Sequence, residues 1–62
     1  MGRYLLFAGA DYYPAGGWDD FRGVFDTIEE ARNYFFEHKY EELWDWYQIV
    51  DMTTLKIVEQ YP

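Results

Sequence analysis

The chain contains no cysteine among its 62 residues, so neither a disulfide nor a thiolate metal site can hold it together. A chain of this length buries only about 60% of the surface that its unfolded form exposes, so it needs a dense apolar core. Three Trp, seven Tyr and five Phe supply the rings for one. We therefore expect a single domain, residues 1–62, with surplus rings at the surface that favour a homodimer or a higher homo-oligomer.

The charge balance excludes several classes of partner. Twelve Asp and Glu residues oppose five Lys and Arg residues, which gives a formal net charge of −7. Direct binding to DNA or RNA, or to an anionic membrane, requires a basic surface that this composition does not supply. The acidity has two open interpretations. The acidic residues serve only to keep the protein soluble, or they form a face that binds a basic partner by imitating nucleic acid. The apolar run near the start is too short for a signal or a membrane span, so we expect a cytoplasmic protein.

The first third of the sequence predicts two strands joined by a long loop. Residues 3–8 place apolar side chains on both faces of an extended segment, which predicts a strand that lies centrally in a sheet. Residues 9–17 contain the Gly and Pro punctuation of a loop. Residues 18–25 alternate loosely and predict a second strand that pairs with the first one.

A helix start is the clearest local signal. Either Asp26 with Glu29 or Thr27 with Glu30 can form a capping box, in which side chains satisfy the free backbone amides at the first turn. The helix is predicted to run to about residue 38. Helical spacing gives a sheet-facing stripe of Ile28, Ala31, Tyr34, Phe35 and His38. Phe36 points away from this stripe and is a candidate partner contact.

The last third predicts a hairpin. Residues 39–43 form a connection, residues 44–50 a strand rich in aromatic and branched residues, and residues 55–61 a fourth strand after a turn. Alternation places Trp44 and Trp46 on one face of the third strand and Tyr47 on the other, so one set joins the core and the other is open to a partner. The predicted fold is α+β, a ββαββ antiparallel four-stranded sheet with one helix packed on a face.

The residue types argue against catalysis. Serine and cysteine are both absent, and the threonines are better explained by capping and a turn. The lone His38 would need a nucleophile and an orienting group near it to act as a general base. Asp19 and Asp20, with Asp11 nearby, lack the spacing of a calcium loop. We therefore predict a protein that is not an enzyme and that uses no cofactor and no metal.

The loop between the first two strands has the composition of a ligand site. Its glycines let backbone amides approach a ligand, its rings can stack on a nucleobase, and an arginine just downstream can meet a phosphate. The predicted ligand-binding residues are Tyr12, Tyr13, Gly16, Gly17, Trp18 and Arg22. The alternative is a long hairpin loop whose rings pin it to its own sheet.

Four segments carry a family resemblance: residues 4–9, 11–21, 25–31 and 45–51. They resemble a family of short, uncharacterised phage and bacterial proteins that share the Tyr-Tyr-Pro-Ala-Gly-Gly-Trp loop found here at residues 12–18. The resemblance implies a phage setting, and with it the host cytoplasm and a role against bacterial defence.

Two modes of action, and a third without an immune role, remain open in that setting. The first is sequestration of a small nucleotide-derived immune signal in the aromatic loop. The second is direct inhibition of a bacterial defence protein by an acidic, nucleic-acid-like surface. The partner-binding residues predicted for this second mode are Asp19, Asp20, Phe36, Glu41, Glu42, Trp44 and Tyr47. The third is a structural or regulatory accessory domain.

Overall fold

The computed structural model describes residues 2–11 and 17–62. Its elements follow the predicted ββαββ order, with a short 3-10 helix, η1, before the second strand. They are β1 (Tyr4–Gly9), η1 (Gly17–Asp20), β2 (Phe21–Phe25), α1 (Ile28–Glu42), β3 (Trp46–Asp51) and β4 (Lys56–Tyr61). The predicted α+β fold with one helix and a four-stranded antiparallel sheet is confirmed.

The strands lie in the order β2-β1-β3-β4, and each neighbouring pair is antiparallel. The prediction that β1 is central is therefore confirmed. Since β2 and β3 both run opposite to β1, they are parallel to each other on its two sides. Helix α1 carries the chain from β2 across β1 to β3, which is a split β-α-β arrangement.

Both edge strands contain an irregularity in their pairing. The register of β1 with β2 shifts between Leu6 and Phe7, and that of β3 with β4 shifts between Ile49 and Val50. The unpaired extra residues are Arg22 on β2 and Val58 on β4. Such bulges bend and twist an edge strand, which discourages pairing with the edge of another sheet.

The core lies between α1 and one face of the sheet. Its buried members are Leu6, Ala8, Ala31, Phe35, Trp44, Tyr47 and Ile49. Phe35 is at the centre, with its ring centroid 4.6 Å from that of Tyr47 and 6.0 Å from that of Trp44. His38 is half-buried, and its ring stacks on Tyr34 at 4.1 Å. Four members of the predicted helix stripe, Ile28, Ala31, Tyr34 and Phe35, therefore face the sheet as expected.

The capping box at the start of α1 uses Thr27 and Glu30. The Thr27 hydroxyl oxygen accepts from the Glu30 amide at 3.1 Å, and the Glu30 carboxylate accepts from the Thr27 amide at 3.1 Å. Of the two boxes that the sequence allows, the structure forms this one. It satisfies two of the amides that have no partner within the helix.

Thr27→Ala should lower the free energy of unfolding by about 1 kcal/mol, because an N-cap side chain is lost. Urea denaturation followed by circular dichroism measures the change. Thr54→Ala, in the exposed turn between β3 and β4, is the matched control and should have little effect. Equal losses in the two variants would show that the capping box contributes nothing.

Helix α1 ends later than predicted, at Glu42, and Leu43 caps it with φ 60° and ψ 39°. The amides of Leu43 and Trp44 both donate to the Lys39 carbonyl. No Gly or Pro lies in residues 39–43, so nothing in that segment stops the helix. As a result the prediction that Trp44 and Trp46 share a strand face is wrong: Trp44 precedes β3 and is buried, 7% exposed, under the end of α1.

Candidate binding cleft on the outer sheet face

The face of the sheet that points away from α1, here called the outer face, has no charged strand residue. Side chains alternate along a strand, so the neighbours of the buried Leu6, Ala8, Tyr47 and Ile49 point to this side. Strand pairing extends the assignment to β2 and β4. The outer-face residues are Leu5, Phe7, Phe21, Val24, Trp46, Gln48, Val50, Ile57 and Gln60.

A cleft of about 530 Å³ runs along β3 on this face. The described residues that line it are Phe7, Ala10, Asp11, Gly17, Asp20, Trp46, Gln48, Val50 and Ile57. Its volume is within the range of about 300–1,000 Å³ that small-molecule sites occupy. Its lining is mostly apolar. Asp11 and Asp20 lie at the end nearest the β1–β2 loop, and Gln48 lies further along β3, paired with Phe7. We refer to it as the outer cleft.

Three rings hold one wall of the outer cleft in place. Phe7 lines the cleft, and behind it the ring centroids of Trp18 and Phe21 lie 5.7 and 5.8 Å away. Trp18 and Phe21 contact each other edge to face at 5.4 Å. Tilted and edge-on contacts of this kind are the favoured geometry for aromatic pairs. Trp18 thus supports the wall and remains 71% exposed beside the cleft.

Trp46 also lines the cleft, and its ring lies close to the backbone of Gly9. A Cβ atom at position 9 would come within 3.0 Å of Trp46 Cζ2 and 3.3 Å of Asp20 Oδ1. Only glycine leaves the indole this close to β1. Gly9 therefore positions both the Trp46 ring and the buried Asp20 carboxylate at the same end of the cleft.

The base of the β1–β2 loop is held by Asp45. The Asp45 amide donates to the Gly9 carbonyl at 2.7 Å, and the Asp45 carboxylate accepts from the Asp11 amide at 3.1 Å. On the other side of the loop, Trp18 is fixed by its ring contacts. Both ends of the loop are therefore anchored at the mouth of the cleft.

The outer cleft is acidic at its polar end. Asp11, Asp20 and Gln48 are its polar side chains among the described residues, and none of the five Lys and Arg residues of the chain lines it. These three side chains can accept hydrogen bonds, and Gln48 alone among them can also donate. The described lining suits a ring that carries N–H donors better than it suits a phosphate.

The predicted ligand residues are only partly brought together. Gly17, with φ 57°, lines the cleft, and Trp18 supports it. Arg22 is elsewhere: its guanidinium donates to the Ala8 carbonyl at 2.9 Å and lies 5.1 Å from the Trp44 ring centre. The bulge in β2 explains this position, because the extra residue turns Arg22 toward the core side. Tyr12, Tyr13 and Gly16 lie outside the described residues.

The predicted partner residues are dispersed over three regions. Asp19 is exposed on η1, next to the buried Asp20. Phe36, Glu41 and Glu42 are exposed on α1. Trp44 and Tyr47 belong to the hydrophobic core, so little of either ring is accessible to a partner. Sequence reasoning placed Trp44 on a strand. In the structure α1 continues to Glu42, so Trp44 precedes the strand and is buried in the core.

An ionic network ties α1 to the edge strand β4. Arg32 donates to both carboxylate oxygens of Glu59 at 2.7 Å, and the Tyr47 hydroxyl donates to Glu59 at 2.6 Å. The hydrogen bonds from Arg32, and secondarily from Tyr47, lower the pKa of Glu59 to about 2. Burial, with Glu59 next in importance, raises the pKa of Tyr47 to about 12. The network stabilises the side of the sheet opposite the outer cleft.

Sequence reasoning missed the large apolar strand side chains that line the cleft: Phe7, Trp46, Val50 and Ile57. A signal for them exists. The sequence shows apolar residues on both faces of β1, and the same reasoning applied to β3 and β4 gives an apolar outer face.

In residues 2–11 and 17–62, no group of three or more His, Cys, Asp or Glu side chains is placed to hold a metal ion. Over the same residues, no helix has the length and apolar character needed to span a membrane.

Comparison with known proteins confirms the resemblance to a phage family. A relative from Enterobacteria phage T4, the uncharacterized 16.0 kDa protein of the segB-ipI intergenic region, is 37% identical over 63 residues. The match covers 94% of this chain and 46% of the relative, so the chain spans about half of the relative's length. No solved structure matches the chain significantly. Residues 4–61 match the family described as bacteriophage T4 protein Y07C, and the chain belongs to that family.

Proposed function

We propose that the chain is a non-catalytic phage binding protein that takes up a small, nucleotide-derived ligand in the outer cleft and withholds it from bacterial defence. The observation that supports this most is that two aromatic side chains, Phe7 and Trp46, line the cleft together with the carboxylate of Asp11. A flat heterocycle is the ligand shape that such a cleft accommodates. Membership of a phage family is consistent with the setting.

The base, rather than the phosphate, is the part of the ligand that this cleft would recognise. A purine with adjacent N–H groups, such as guanine, can donate to the carboxylate of Asp11 while its ring lies against Trp46. No Lys or Arg lines the cleft, so a phosphate would extend into solvent. Arg22, which the sequence suggested for this role, is engaged with Ala8 and Trp44 instead.

Isothermal titration calorimetry with the common nucleosides and their monophosphates tests the proposal. We expect guanosine to bind, and guanosine monophosphate to bind with an affinity within a few-fold of it. Trp46→Leu and Asp11→Asn should each weaken binding about tenfold, since stacking contributes about 1–3 kcal/mol, a charged hydrogen bond about 1.5–3 kcal/mol, and tenfold corresponds to about 1.4 kcal/mol. Tyr40→Ala, at a 79% exposed ring on α1, is the control and should bind normally. Absence of binding by every nucleoside and monophosphate would refute the proposal.

A second candidate, direct inhibition of a bacterial defence protein, is favoured by the acidic surface of α1. Glu41 and Glu42 are exposed in its last turn, and the ring of Phe36 is 43% exposed on the same helix. Reversing both charges, Glu41→Lys with Glu42→Lys, should abolish capture of a host protein from a bacterial lysate if this candidate is correct. The same double variant should leave nucleoside binding unchanged.

A further inference from the structure

In residues 2–11 and 17–62, the outer face is a mostly apolar sheet surface that α1 does not cover. A sheet with one apolar face is stable when a single layer packs on it, but this sheet is apolar on both faces and α1 covers only one. On the uncovered side, Trp18 is 71% exposed, Ile57 51% and Val24 46%. Among the described residues, η1 reaches this side only at one corner, through the contacts of Trp18 with Phe7 and Phe21. A further layer is needed to bury the other apolar side chains of the outer face.

The distribution of charge indicates what that layer is. The chain has a net charge of −7, yet none of the outer-face strand residues is charged, while α1 exposes Glu29, Glu30, Glu37, Glu41 and Glu42. Depletion of charge at the centre is the compositional mark of a protein interface. A basic partner would be met by carboxylates at the centre of the face, and the outer face offers none there. An apolar, uncharged surface is instead complementary to another copy of itself.

We propose that a second copy of the chain packs its outer face against this one, sheet on sheet, around a two-fold axis. Two sheets of the same twist pack about 10 Å apart with their strands within about 30° of each other. The product is a four-layer dimer with a helix on each outside and two sheets within. It goes beyond the proposed ligand, because the dimer forms whether or not the cleft is filled.

The size of the face determines the strength of this dimer. Four strands at about 4.8 Å spacing and six residues at about 3.3 Å rise give a surface roughly 19 by 20 Å. The area of that plane is about half of the ~800 Å² of accessible surface that each partner contributes to a standard interface. The projecting side chains add to the area of the plane. We therefore expect a reversible dimer that dissociates on dilution.

Salt distinguishes self-association from binding to a basic partner. Each copy carries −7, and Asp11 and Asp19 are exposed near one end of the outer face. Two copies therefore repel at long range, and screening by salt should strengthen the dimer. A complex with a basic host protein should instead weaken as salt is added.

Sedimentation equilibrium over a wide range of protein concentration, at low and high salt, tests the proposal. We expect a monomer–dimer equilibrium that shifts toward dimer at high salt. Val24→Lys, on the outer face but outside the cleft, should raise the dissociation constant of the dimer at least tenfold. Ile57→Lys should do the same. Tyr40→Lys adds the same charge on α1 and should leave the equilibrium as it is; circular dichroism verifies the fold of all three.

Several outcomes would overturn the dimer. They are a wild-type chain that stays monomeric at every concentration, an assembly larger than a dimer, and a dimer that Tyr40→Lys disrupts while Val24→Lys does not. The ligand proposal stands apart from these results, since Val24 does not line the cleft and nucleoside binding can be measured on the Val24→Lys monomer.

Discussion

Phe35→Ala should lower the free energy of unfolding by about 3–5 kcal/mol, the range for removing a buried phenyl ring. Phe35 is 0% exposed and contacts the rings of Trp44, Tyr47 and Tyr61. Its removal leaves a cavity that rigid aromatic neighbours cannot fill by small movements. A domain of 62 residues has a total stability of about 3–9 kcal/mol, so the variant should be largely unfolded at moderate temperature.

The adjacent residue provides the matched control for this experiment. Phe36 has the same side chain on the same helix, but 43% of it is exposed. Phe36→Ala should therefore lower the free energy of unfolding by less than about half as much as Phe35→Ala does. Urea denaturation of the two variants, followed by circular dichroism, gives the comparison. Similar losses at both positions would contradict the placement of the core between α1 and the sheet.

Acid should destabilise the fold through Glu59. Its pKa is lowered from 4.5 to about 2 by the hydrogen bonds from Arg32 and Tyr47, so the folded chain keeps this carboxylate ionised at a pH where the unfolded chain does not. The resulting stabilisation is complete above pH 4.5, falls as the pH decreases, and is lost below about pH 2. Because Glu59 and Arg32 are partly exposed, solvent screening limits the effect to about 1–2 kcal/mol.

Glu59→Gln isolates this contribution. The variant keeps an acceptor for the Tyr47 hydroxyl but has no titrating group, so its stability should be lower at neutral pH and should depend less on pH in the acid range. Some acid dependence should remain, because the hydrogen bond from Arg3 lowers the pKa of Asp51 as well. Urea denaturation at a series of pH values gives the slope of the free energy of unfolding against pH for the wild type and for the variant. Identical slopes in the wild type and the variant would exclude Glu59 as a source of acid lability.

The elements that sequence reasoning predicted correctly are those with a local physical cause. The start of α1 was predictable because Thr27 and Glu30 are three residues apart and form a self-contained hydrogen-bonded box. The central place of β1 followed from its apolar residues at successive positions. The end of α1 was not predictable in the same way. Residues 39–43 contain neither Gly nor Pro, and it is the left-handed conformation of Leu43 that ends the helix.

The candidate site was harder to predict, since it depends on how the strands align. The bulge in β2 directs Arg22 toward Trp44, and a pairing irregularity of this kind leaves no mark in the sequence. Trp44 and Trp46 are two residues apart and suggest a shared face, but only Trp46 is in β3. The cleft then takes its lining from β1, β3, β4 and η1, which no single segment of sequence brings together.

The positions of the three tryptophans make the protein its own optical reporter. Trp44 is in the core, Trp46 is half-buried in the cleft, and Trp18 is 71% exposed beside it. Their intrinsic fluorescence therefore arises from three environments: the interior, the cleft and the solvent. An aqueous quencher such as iodide would reach Trp18 readily and Trp44 hardly at all. Variants that retain one indole each would follow unfolding, occupancy of the cleft and coverage of the outer face as separate signals, without any attached dye.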